Sequence, residues 1–269
     1  MNKAALLYLL PIVISLVISV GVTFYSWRRR KVIGASAFVW FIVAEIIYTV
    51  GYIWELLSVP FERILFWNHF RYTISTIAPL LLLHFSLEFT RRKLQYPIRT
   101  WLLVSIPASA FLLLLITDSY HRLIHPSEIL LRHVGPFSII ENEFSLLSWG
   151  IIAYGFCVGL FCVSLIIDRF INTKQLFRQH FITILLGIVF PLAGAVIHVL
   201  EIELAYQIDP SYIAFAIGNL VIAWGLFRLK LFDIVPIAHD RLIEQMHDAV
   251  FVLDTQYRFV DINLVIVFG

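Results

Sequence analysis

Seven apolar runs of about membrane-spanning length, separated by short stretches that hold most of the charge, constrain this chain more than any other feature. A helix needs about 20 apolar residues to cross ~30 Å of hydrocarbon. The ranges 4–25, 32–57, 64–89, 101–117, 144–167, 181–200 and 212–227 meet or approach that length. Of the 269 residues 60% are hydrophobic and 14% charged, a balance that fits lipid as the main solvent and not water. The expected fold class is an all-α integral membrane protein, a seven-transmembrane helix bundle. The net charge of +2 is too small to indicate nucleic acid, so the placement of charge carries the information.

Alternate connections hold Arg28, Arg29, Arg30 and Lys31; Arg91, Arg92, Lys93 and Arg99; Arg169, Lys174 and Arg178; and Arg228 with Lys230. The other side has Lys3, Arg63, Arg122 and Arg132, thirteen basic residues against four. Basic residues are retained in the cytoplasm, which predicts the N-terminus outside and the C-terminus inside a plasma membrane. The absence of an A-x-A-like site after Lys3 marks a retained first helix. The longest outer connection, Asp118–Glu143, is the expected site of extracellular structure.

Pro11, Pro79, Pro107 and Pro191 fall inside spans, where a lost donor bends a helix and can leave a cavity between helices. Asp209 and Pro210 suit a cap and first turn for the seventh span. Cys157 and Cys162 are five apart on different helix faces, so no disulfide or C-x-x-C chemistry follows.

Residues 1–230 thus form the expected seven-helix bundle. Residues 231–248 form a coupling helix in which Ala238, Leu242 and Met246 share a face. Residues 249–269 begin an α/β domain, with AVFVLD (249–254) and YRFVDIN (257–263) as a hairpin around Thr255–Gln256. Two strands alone are marginal in water, which predicts a truncated cytoplasmic domain.

The kinked GIVFPLAG (187–194), the junction FRLKLFDIVPIAHDRLIEQMHD and the following AVFVLDTQYRFVDIN resemble the N-terminal seven-transmembrane region of bacterial histidine kinases leading into a PAS domain. FWNHFRYTISTIAPLLLLHFSLEFT (66–90), TDSYHRLIH (117–125) and GPFSIIENEFSLLSWG (135–150) resemble the same pattern, so the similarity covers nearly the whole chain. The resemblance implies a membrane receptor controlling a cytoplasmic output, usually a histidine kinase and sometimes a diguanylate cyclase. It further implies homodimerisation through the output domain and, for a kinase, a response-regulator partner. No phosphoacceptor-helix consensus, ATP-binding boxes or GGDEF motif occurs, so this chain is expected to be no enzyme and to need no cofactor.

Ionisable groups in hydrocarbon cost roughly 2.5–3.5 kcal/mol each and mark candidate sites. Glu45, Tyr48, Tyr52 and Glu55 repeat at three and four residues along one face of the second span. Asn68, Arg71 and Ser75, with His69 beside them, form a stripe in the third, and His198 and Glu201 lie at the same depth in the sixth. These residues predict an outward-opening pocket for an extracellular or membrane-soluble ligand. Arg71 either pairs Glu45 or Glu55 at rest or grips a ligand carboxylate, and the alternative is a structural ion pair that fixes helix register. Asp233, Pro236, Leu242 and Met246 are the signal-coupling candidates.

His84 and Glu88 form either a proton-sensitive pair or an interfacial anchor. His121-x-x-x-His125 has metal spacing if helical, yet Pro126 and the lack of a third ligand favour a solvated loop without metal. His239 lacks the context of a phosphoacceptor. Asn219 suits a hydrogen bond between helices, and Trp27, Trp54, Trp67 and Trp101 suit interfacial belts. A retinal protein would need a lysine within 212–227, and there is none. HExxH, GxSxG and P-loop signatures are absent, and no inverted repeat supports a small-solute carrier. The predicted function is the membrane-embedded input module of a two-component-type receptor, with a diguanylate cyclase receptor or a carrier as alternatives.

Overall fold

The computed structural model describes residues 3–125, 130–134, 136–140, 145–173, 178–200, 211–228, 251–253 and 259–262. The chain divides into two compact units, residues 1–232 and 233–269. The first contains α1 (Lys3–Arg28), α2 (Ala35–Leu57), α3 (Phe61–Phe89), α4 (Pro97–Ile116), the single turn α5 (Asp118–His121), β1 (Leu131–Val134), β2 (Phe137–Ile140), α6 (Leu146–Ile171), α7 (Arg178–Val199) and α8 (Ser211–Arg228). In the second, β3 (Phe251–Leu253) and β4 (Phe259–Ile262) pair antiparallel, Phe251 with Ile262 and Leu253 with Phe259.

Every apolar run is helical because lipid offers no partner for a backbone N–H or C=O, and only a helix satisfies both within one segment. Six helices, α1 to α4, α6 and α7, are long and apolar enough to cross a membrane, and α8 is a shorter apolar helix. The fold is an all-α membrane bundle. Several helices outrun their apolar cores, since helical hydrogen bonding continues into the polar boundary. Thus α3 starts at Phe61 after Pro60, α4 starts at Pro97 with proline in its first turn, and α6 runs to Ile171 through Asp168 and Arg169.

α1, α2, α3, α6, α7 and α8 each pack on the next, and α8 returns to α1, so the six close a ring. α4 flanks the ring against α3 and α6. Large apolar side chains such as Val17 on α1 and Leu102, Leu103 and Leu113 on α4 point outward, as expected where the surrounding solvent is hydrocarbon.

One buried cluster joins Phe38 and Ile42 of α2 to Phe85 of α3, Cys162 and Ile166 of α6, and Ile184 of α7. A second, near the other ends of these helices, joins Leu9 and Ile12 of α1, Tyr52 and Leu56 of α2, Phe137 of β2 and Tyr212 of α8. Cys162 is buried and Cys157 exposed, which places them on different faces.

Two glycines have specific work. Gly34 precedes α2 with φ 82°, a left-handed conformation that side chains other than glycine's resist, against the backbone of Phe89. Gly218 of α8 faces Gly187 of α7, and a Cβ there would lie 2.8 Å from the Gly187 carbonyl oxygen and 3.1 Å from Pro191. The absence of a side chain lets the two backbones approach.

The proposed Asp209–Pro210 cap and the coupling segment 231–248, with Asp233, Pro236, Leu242 and Met246, lie outside the described residues, as does His239.

Candidate functional site

α2 and α3 place their polar stripes against each other. Gly51 permits this, because a Cβ there would approach Phe70 to 3.1 Å and Arg71 Cγ to 3.2 Å. Arg71 Nη1 donates to Glu55 Oε2 at 2.6 Å, and its Nη2 donates to the Tyr48 hydroxyl at 2.9 Å. Asn68 Nδ2 donates to Glu55 Oε1 at 3.3 Å. The guanidinium also lies 4.4 Å over the Tyr52 ring and 4.9 Å over that of Tyr48. Tyr52 in turn stacks on Tyr212 of α8, with ring centroids 4.4 Å apart. Glu55 is 1% exposed and Arg71 11%, so this is a buried, hydrogen-bonded ion pair.

Of the two partners weighed for Arg71, the structure selects Glu55. Glu45 stands about three turns away on α2 and meets α8 instead. Asn219 Nδ2 donates to Glu45 Oε1 at 2.9 Å and to Ser19 Oγ of α1 at 2.8 Å. Asn219 therefore ties three helices of the ring through one buried amide. Its position in the seventh apolar run was legible as a hydrogen-bonding site, but its partners are 174 and 200 residues away in sequence and no local spacing names them.

Between α2, α3, α4, α6, α7 and α8 is a cavity of about 290 Å³. Its polar lining includes Glu45 and Tyr48 of α2, Asn68, Arg71, Tyr72 and Ser75 of α3, Ser148 and Tyr154 of α6, and His198 of α7. The remainder is mostly apolar, including Phe41, Leu82, Phe111, Ile188, Leu192 and Phe215. Pro79 and Pro191 both lie on its wall, where residues inside proline-containing helices were expected to leave space.

Not every predicted residue faces this space. Tyr52 and Glu55 lie behind Arg71 and hold it without lining the cavity. His69 turns away toward the connection after α4, its ring 5.3 Å from that of His125. His69 Nε2 and Asn68 Oδ1 are buried with no hydrogen-bond partner among the described residues. Glu201 lies outside them.

The connection after α4 is organised by Asp118, a residue with no motif to announce it. Its Oδ1 accepts from the Ile124 N–H at 2.7 Å, and its Oδ2 accepts from the His125 N–H at 3.2 Å and contacts His125 Nδ1 at 2.8 Å. Burial pushes the Asp118 carboxyl up, but these hydrogen bonds and the charge of His125 outweigh it and hold the group below the ordinary aspartate range. Ile124, held by this carboxylate, plugs into Phe111 and Leu115 of α4.

α5 ends at Arg122, whose φ of 49° is left-handed, so His121 and His125 do not share a helical face. Both approach Asp118 instead. Among the described residues no three His, Cys, Asp or Glu side chains are disposed to hold a metal.

At the other end of the bundle, His84 and Glu88 are 3.6 Å apart and well exposed, and the His84 ring packs edge-on to Trp101. Arg92 after α3 pairs with Asp168 of α6 at 3.8 Å, also exposed. Exposed pairs of this kind contribute little to stability.

A family model described as the N-terminal 7TM region of histidine kinase matches residues 11–236. Comparison with curated proteins and with solved structures gave no match.

Proposed function

The chain belongs to the family of N-terminal seven-transmembrane regions of histidine kinases, a membrane sensor input region without a catalytic domain, and from that premise we propose how it senses. The ring cavity is the stimulus site, and α8 carries the response toward the cytoplasmic unit. The observation that supports this most directly is that Glu45 belongs both to the cavity wall and, through Asn219, to α8. A ligand that alters Glu45 has differential contact with two arrangements of the last helix, which is what a ligand needs to shift a conformational equilibrium.

In this reading Glu45, Tyr48, Asn68, Arg71 and His198 contact the ligand. Tyr52 and Glu55 position Arg71, and His69 joins the cap on the outer side. The bundle has its N-terminus outside and its C-terminus in the cytoplasm. Asp233, Pro236, Leu242 and Met246 relay the change to a PAS-like domain, and the output is a dimeric kinase that phosphorylates a response regulator. The basic residues at the ends of α1, α3 and α6 and the starts of α4 and α7 support the orientation. The matched family is one of histidine kinases, and nothing favours a cyclase or a carrier.

Ala195→Phe fills the cavity from α7. The kinase that carries this region, reconstituted in vesicles, is expected to change its autophosphorylation rate severalfold with this substitution while its bundle melts near the native temperature. A folded variant with native basal and stimulated rates would remove the cavity from signalling.

A further inference from the structure

Charge decides what the cavity can hold. With histidine counted as neutral, Glu45 and Arg71 are the two charged residues on its wall among the described residues. Arg71 is already answered by Glu55 at 2.6 Å, from behind the wall, and is capped by the hydroxyl of Tyr48 and the face of Tyr52. Arg71 and Glu55 together carry no net charge.

Glu45 is different. It is 8% exposed, its hydrogen bond comes from the uncharged amide of Asn219, and among the described residues no cation pairs with it. A carboxylate in so apolar a place carries a desolvation cost of several kcal/mol unless it is protonated or a cation balances it. The described residues supply no such cation, and the cavity is the open side of the carboxyl.

The surroundings suit a cation in a second way. Phe41, Tyr72, Phe111 and Phe215 line the same space, and aromatic faces attract a desolvated ammonium. At water's ~30 Å³ share of liquid volume, a cavity of about 290 Å³ holds on the order of ten non-hydrogen atoms.

Resting on the reading of this cavity as the stimulus site, we propose that it binds a small organic monocation, a protonated amine on an apolar body, with the ammonium against Glu45 and the body along Leu82, Ile188 and Leu192. An anion would find the wall's cation already paired with Glu55. A dication would lack a second acid among the described residues of the wall, and a neutral molecule would leave Glu45 to protonation alone. The bound ammonium holds Glu45 ionised. Hydrogen bonds to an ionised acceptor are shorter and roughly twice as strong as neutral ones, so the cation tightens the Asn219 contact and draws α8 toward α2.

The experiment is a calorimetric titration of the full chain in nanodiscs with primary alkylammonium ions from butyl to octyl, alongside alcohols and carboxylates of the same lengths. At least one ammonium member is expected to bind saturably at one site, about tenfold or more tighter than its alcohol. Glu45→Gln keeps an acceptor for Asn219 and is expected to weaken that binding by about tenfold or more; it also measures partition into lipid. No saturable ammonium binding across the series, equal binding of the alcohols, or unchanged binding in Glu45→Gln would each overturn the proposal. If the variant does not fold, the preference for ammonium ions over alcohols in the native chain decides the same question. Carboxylate binding that is lost in Arg71→Met would overturn the cation while leaving the cavity as the ligand site. The cavity's own role is tested separately by the kinase output of Ala195→Phe.

Discussion

Arg71 illustrates how much a single buried side chain can hold. It contacts Glu55, Tyr48 and Tyr52, and through Tyr52 it reaches Tyr212 of α8. Removing one partner of a buried ion pair leaves an uncompensated charge, which costs more than the pair contributes net. Arg71→Met is therefore expected to lose about 3–5 kcal/mol of stability, measured by denaturant unfolding in micelles. Adding Glu55→Gln to it should recover a large part of that loss; if the double variant is no more stable than Arg71→Met, the stranded-carboxylate account fails. Asp118 is the second residue of this kind. Its lowered carboxyl contributes stability that is complete above the ordinary aspartate value near 4 and disappears as pH falls through the depressed one. Asp118→Asn is expected to cost about 1–3 kcal/mol at neutral pH and to flatten the native chain's loss of stability below about pH 4. Melting curves across pH 2–7 for both proteins check this. The charged face of α2 and the stripe of α3 were legible from three- and four-residue spacing, but the choice of Glu55 over Glu45 was not. Both lie on the same face of α2, and only the axial offset of α3 decides between them.

At the scale of elements, α7 and α8 are joined by absence of side chains as much as by contact. Gly218→Val would drive new carbon into the Gly187 carbonyl and Pro191, so α8 must move away or tilt. The expected loss is about 1–3 kcal/mol, and because α8 is the proposed relay the same variant should alter basal kinase output. Unfolding in micelles together with an autophosphorylation assay measures both, and native values in both would mean that the interface tolerates the displacement. The helices themselves were readable because spanning hydrocarbon leaves the backbone of a single segment one way to satisfy its polar groups. Their ends were less so: α3, α4 and α6 extend through Glu62, Arg99 and Arg169, polar residues that an apolar window excludes but a helix accepts. The antiparallel pairing of β3 with β4 agrees with the alternation in 249–254 and 257–263. The pair β1–β2 was visible only as a long connection, although Gly-Pro at 135–136 is a turn signal in the sequence.

For the whole molecule, the proposed orientation makes opposite ends of the bundle accessible from opposite sides. With Cys157 and Cys162 replaced by alanine, Lys93→Cys is expected to react with an impermeant maleimide only after the membrane is opened. Tyr120→Cys, at a residue 90% exposed, should react in intact cells. The reverse pattern would invert the topology and move the cavity's opening to the cytoplasm. The sequence by itself determined the membrane class, the helical segments, the polar faces and the family resemblance, because each depends on composition or on spacing within one segment. Tertiary structure decided the ring with α4 outside it, the cavity between α2, α3, α4, α6, α7 and α8, the pairing of Arg71 with Glu55 and the link from Glu45 through Asn219 to Ser19. These depend on the rotation and axial offset of one helix against another. Those are set by the summed packing of many small contacts, and no periodicity within a single helix encodes them.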